Sequence, residues 1–222
     1  MSFQPEIVDD ELSQLIEDIV VRVKPEIIIE IGSADGRGST QAFLRGRKRA
    51  GLENKCAMYC LEMIPERHAE LVKNAGGEPL VVCENVSSVD ASDFMTEVEI
   101  EHFIKVHPEL GIASIGAETV KGWLRRDLIM LEHLGLEQDW LLKFCLYGRL
   151  RAHKTIVLID GSPFTVLAEY WMVRDADIII MDDTMDIKCW DAYQDAKASG
   201  VYKMTAENKK LRNGYAVFER DE

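Results

Sequence analysis

At 222 residues the chain can bury one substantial core, so one domain carrying an insertion is expected rather than two. A net charge of −13 argues against nucleic acid or an anionic membrane surface as the main partner, since both need a basic face. With 47% hydrophobic and 29% charged residues the composition is that of an ordinary globular enzyme, and no apolar run approaches the ~20 residues of a membrane span.

The opening MSFQPEIVDDELSQ has no basic stretch followed by an apolar one, so no signal peptide is expected. The five cysteines (Cys56, Cys60, Cys83, Cys145 and Cys189) form no CxxC pair. They read as buried free thiols in a reducing cytoplasm. From Asp9 to Lys24, Leu12, Leu15, Ile16, Ile19, Val20 and Val23 make one apolar stripe of a helix. Asp9 or Asp10 can cap it, and Pro25 stops it. Ile27–Glu30 is a first strand, and Thr40–Ala50 a helix. Met58–Glu62 is a second strand ending in a carboxylate, Pro65–Lys73 a helix closed by Gly76 and Gly77, and Leu80–Cys83 a third strand.

About 70 residues then separate the third and fourth strands, far more than a usual crossover. Phe94–Val106 and Val120–Leu134 have helical periodicity, so residues 92–150 are expected to form a helical cap over the carboxyl ends of the strands. Thr155–Asp160 and Asp177–Met181 are continuously apolar strands, each followed or ended by acid: Asp160, then Asp182 and Asp183. Pro163–Arg174 is long enough for the crossover helix between them. Cys189–Ser199 is a helix, and Tyr202–Thr205 and Tyr215–Phe218 are strands joined by so short a link that the last runs antiparallel.

The chemistry points to Ile27–Thr40, IIIEIGSADGRGST. A buried strand runs into Gly32, Gly36 and Gly38, and a helix follows, whose first N–H groups suit an anionic or polar ligand. The spacing is neither the dinucleotide fingerprint nor a P-loop, because Ala34 and Arg37 stand at the second and third glycine positions and no Gly-Lys-Ser/Thr follows. Glu62, at the tip of the second strand, can accept both ribose hydroxyls of an adenosine. Asp160, Asp182 and Asp183 sit at the ends of neighbouring strands, and three oxygen donors without His or Cys suit a hard cation such as Mg²⁺. The alternative is that Asp183 caps the following segment and Asp160 orients substrate. His102, His107 and His133 lie in the insertion and could supply a base.

EIGSADGRGS, the strand ending in Glu62, the two acid-tipped strands and the closing antiparallel pair resemble class I S-adenosylmethionine-dependent methyltransferases. IDGSPF, IIIMDDT and AENKKLRNGYAVF are similar to a bacterial branch of small-molecule O-methyltransferases. The resemblance covers Ile27 to Arg220. It implies an α/β fold: a doubly wound, seven-stranded, mostly parallel Rossmann-like sheet of order 3-2-1-4-5-7-6, last strand antiparallel, in a single domain over 1–222. It implies S-adenosylmethionine along Glu30, Gly32, Ser33, Ala34, Asp35 and Gly36, with Glu62 and Met63 at the ribose and Ser87 beside the adenine. It further implies Mg²⁺ on Asp160, Asp182 and Asp183, with Asp160 catalytic, and a small-molecule hydroxyl of secondary metabolism as acceptor. A homo-oligomer is left open. The rival readings are a metal-binding, non-methylating member resembling cephalosporin hydroxylases, a non-enzymatic binding or dimerisation domain, and, disfavoured by the loop spacing, a nicotinamide-dependent oxidoreductase.

Overall fold

A computed structural model describes residues 7–221, with the Arg149 side chain left aside; the first residues, on which the leader expectation bears, lie outside it. In chain order the elements are α1 (Glu11–Val23), β1 (Ile27–Ile31), α2 (Ser39–Ala50), β2 (Ala57–Leu61), α3 (Pro65–Ala75) and β3 (Val81–Glu84). Then come α4 (Glu97–Val106), α5 (Ala117–Leu134), α6 (Trp140–Leu146) and α7 (Arg149–Ala152), with a 3₁₀ turn before each of the first two. β4 (Thr155–Ile159), α8 (Val166–Val173), β5 (Ile178–Asp182), α9 (Trp190–Ala198), β6 (Tyr202–Asn208) and β7 (Tyr215–Arg220) complete the chain.

Local chemistry sets the ends. Asp10 caps α1 by accepting the Ser13 N–H at 2.8 Å, and Lys24, in a left-handed conformation ahead of Pro25, closes it. Thr96 and Glu99 form a reciprocal capping box that starts α4 three residues later than the periodicity suggests. α5 ends on left-handed Gly135.

The strands form one sheet in the order β3-β2-β1-β4-β5-β7-β6, with β7 antiparallel to both neighbours and the other pairs parallel. Alternate residues of β1 feed opposite faces. Ile27, Ile29 and Ile31 pack with α4–α6, α8 and α9, whereas Ile28 packs with the apolar stripe of α1 and with Phe43 of α2. Burial on both faces explains why β1, β4 and β5 read as unbroken apolar runs.

Register then fixes the site. Ile31 pairs with both Leu61 and Ile159, and Ile159 with Met181. Gly32, Glu62, Asp160 and Asp182 therefore stand level on one rim, at the carboxyl ends of the parallel strands, where open α/β sheets bind ligands. No helix among the described residues is long and apolar enough to cross a membrane.

Candidate active site

The glycine loop is shaped by the approach of β1 to β4. Gly32 has φ +86°, and a Cβ there would lie 2.3 Å from the Asp160 carbonyl oxygen, so only glycine fits. Ala34 also takes a left-handed conformation, φ 51°, and holds strain that a glycine would not. Glu30 lies behind this loop. It is wholly buried, its carboxylate accepts from Ser39 Oγ at 2.6 Å and Thr40 Oγ1 at 2.7 Å, and burial raises its pKa while the two hydroxyls oppose the shift. Its work is to tie the end of β1 to the start of α2.

In front of the loop opens a cavity of about 580 Å³. Gly32, Ser33, Ala34, Glu62, Met63 and Ser87, expected at the cofactor site, line it, as do Asp160 and Asp183, expected at a metal site. Glu30, Asp35, Gly36 and Asp182 do not. Asp35 turns to the Arg37 guanidinium (2.8 Å to Nε), and Gly36 packs under Leu71. These three residues support the binding surface instead of forming it: Glu30 falls on the Ile28 face of β1, and Asp35 and Gly36 are taken up by Arg37 and Leu71.

Glu62 follows directly on β2 and is 6% exposed. Burial raises its pKa, opposed first by the Ile64 N–H, which donates at 2.7 Å, and then by the Arg67 charge. Asn85 ties the β3 end to the Glu62 and Met63 carbonyls, at 2.8 and 3.0 Å. The Ser87 hydroxyl is committed to the Val89 carbonyl at 2.7 Å, so Ser87 presents its backbone and Cβ as wall.

Asp160, Asp182 and Asp183 converge as expected, with one carboxylate oxygen of each within 4.8 Å of the others. Their cations are already present. Lys188 Nζ donates to Asp160 Oδ1 and, at 2.9 Å, to Asp183 Oδ2. Arg212, from the β6–β7 turn, donates to Asp182 Oδ1 at 2.8 Å and pairs with Asp10. Burial pushes Asp160 up to about 6, against Lys188, and Asp182 up to about 7, helped by the Asp160 charge. Asp183 stays below the ordinary value, because Lys188 and Asn213 outweigh its burial. The donor set does not fit Mg²⁺ as it stands: an ammonium and a guanidinium hold the oxygens a divalent ion would need.

Two further groups come from segments the motifs did not mark. Glu169, on α8, is 1% exposed; its Oε1 accepts from Ser88 Oγ (2.5 Å) and Thr165 Oγ1 (2.8 Å), and Oε2 is unpartnered. Asp127 of α5 lines the cavity and accepts from Ser162 Oγ at 3.1 Å. A second cavity, of about 320 Å³, lies between α4, α8 and α9 and shares Pro163 and Lys188 with the first. Phe103, Phe164, Leu167 and Ile187 give it an apolar wall, and His102 and His107 join it, whereas His133 lines neither cavity. A charged residue inside an otherwise apolar segment, Glu169 in VLAEYWMV, is the signal that could have revealed the first of these two groups.

No family model matches the sequence, and neither does any curated protein. Solved structures do match in fold. A methyltransferase of Geobacter sulfurreducens is 10% identical, with 98% of this chain and 81% of that chain covered and a TM-score of 0.51. A Podospora anserina methyltransferase bound to S-adenosylhomocysteine is 11% identical over 95% of this chain and 78% of that one, TM-score 0.53. An O-methyltransferase of Bacillus cereus in complex with S-adenosylhomocysteine is 12% identical over 97% and 83%, TM-score 0.53. With its strand order and antiparallel seventh strand, the chain has the fold of class I S-adenosylmethionine-dependent methyltransferases.

Proposed function

We propose that the protein is an S-adenosylmethionine-dependent methyltransferase acting on a hydroxyl of a small molecule. The observation that carries the reading is the cavity of about 580 Å³ that joins the Gly32–Ala34 backbone and the Glu62 carboxylate on one wall to Asp160 on another. That donor set suits the cofactor: a buried carboxylate for two vicinal ribose hydroxyls, and a loop without large side chains along the amino-acid part. The Podospora and Bacillus proteins hold S-adenosylhomocysteine on the same fold, which adds support.

S-adenosylmethionine supplies an electrophilic sulfonium methyl. The protein's part is placement and proton transfer. Glu62 holds the ribose, Ser87 and Val86 border the base, and Met63 and Ile64 cover it. The second cavity is the acceptor pocket: its apolar wall takes an aromatic or alicyclic body, and its opening at Lys188 and Pro163 brings a hydroxyl to the first cavity. Asp160 lies at that junction with one oxygen tied to Lys188, and its carboxylate accepts the hydroxyl proton. Fixing both partners in line supplies much of the rate.

Incubation with methyl-labelled S-adenosylmethionine and a panel of phenols, alicyclic alcohols, amines and activated carbon acids tests this. The expected result is label in an ether product, with Asp160→Asn slowing transfer by about 100-fold. Label recovered only on nitrogen or carbon acceptors would overturn the hydroxyl assignment.

A further inference from the structure

The acid cluster of the β4–β5 rim carries its own cation. Lys188 precedes α9, five positions beyond Asp183, and its side chain is only 12% exposed. Two of its three N–H donors are spent on Asp160 and Asp183, and Arg212 serves the remaining acid, Asp182. The residue borders both cavities. We propose that the Lys188 ammonium is the resident cation of Asp160 and Asp183, standing where a divalent ion would otherwise sit, with Arg212 completing the cluster at Asp182.

Two physical arguments support the assignment. The ammonium is tethered to the same rim as the carboxylates, so it competes with a dissolved ion at high effective concentration. A divalent ion entering the cluster must also break both Lys188 bonds and strand a buried charge. The lysine keeps its proton throughout: burial works against the charge, but Asp160 and Asp183 overrule it and hold the pKa well above the ordinary lysine value. Lys188 therefore serves both carboxylates as a charged donor. The proposal concerns the cation alone and stands apart from the cofactor reading.

The test titrates Mn²⁺, a hard ion with the same oxygen preference as Mg²⁺, and follows the free-ion electron paramagnetic resonance signal without any cofactor. The wild-type protein is expected to show no site tighter than about 0.1 mM, and Lys188→Met to gain one, Asp160 and Asp183 now relieved of the ammonium. Lys188→Arg should behave as wild type. A wild-type site tighter than that limit, or a folded Lys188→Met without one, would overturn the proposal. If Lys188→Met does not fold, wild-type crystals soaked in Mn²⁺ decide: no anomalous peak among the three acids supports the assignment, and a peak bonded to them with Lys188 displaced refutes it. Loss of S-adenosylhomocysteine binding in the wild type would count against the methyltransferase reading and leave this result untouched.

Discussion

The two ends of the rim, β1–β2 and β4–β5, are built from the same parts: a buried apolar strand, a sharp turn and a carboxylate at the strand tip. They do opposite things with that carboxylate. At the β2 end, Glu62 is answered chiefly by peptide N–H groups of its own loop, and faces the cavity. At the β4–β5 end, Lys188 and Arg212 arrive from segments 28 and 30 positions from Asp160 and Asp182, and close the acids into ion pairs. A strand-tip acid in the sequence thus tells where a carboxylate will stand. Whether it remains open to a ligand depends on cations that tertiary structure brings in, and those have no fixed spacing from the motif.

The comparison breaks most severely at Gly32, where the two ends touch. Gly32→Ala places a methyl 2.3 Å from the Asp160 carbonyl oxygen at a φ of +86°. The expected cost is about 3 kcal/mol or more, read as a fall of several degrees in melting temperature or as loss of the folded protein. A variant that melts like wild type would mean the two ends can separate freely.

A smaller effect separates the ends by pH. Burial pushes Asp160 up to about 6 and, helped by the Asp160 charge, Asp182 up to about 7 in the folded protein. Folded protein therefore binds more protons than unfolded between about pH 4 and pH 7, and the stability these acids contribute at low pH is lost as pH rises through that window. Asp160→Asn removes one ionisation and its repulsion of Asp182. Its stability relative to wild type should rise by about 1 kcal/mol from pH 5 to pH 8, followed by melting temperature. A difference independent of pH would contradict the assigned cause.

Much of this architecture was legible in the residues. The apolar runs of β1, β4 and β5 announce strands covered on both faces, and the short link before Tyr215 requires the antiparallel β7. The sheet order came from the resemblance, since periodicity carries no information about which strands are neighbours. Glu30 shows the limit at the site: its position in the motif suggests a ligand contact, but its side chain is bonded to Ser39 and Thr40 at the start of α2. Lys188 and Glu169 were hidden for the converse reason. Glu169 is a lone charge in an apolar segment and Lys188 sits between Asp186 and Asp191, and only the packing of α8 and α9 against the sheet brings them to the cavity wall.

Calorimetric titration of S-adenosylhomocysteine into wild type, Glu62→Ala and Glu30→Gln tests the central claim most directly, that the β1–β2 end holds a nucleoside through Glu62. Wild type should bind with a dissociation constant in the micromolar range, about −8 kcal/mol. Glu62→Ala should lose about 2 kcal/mol of that, and Glu30→Gln should bind nearly as wild type while melting earlier. No heat from the wild-type protein at millimolar ligand, or an equal loss of affinity in both variants, would contradict it.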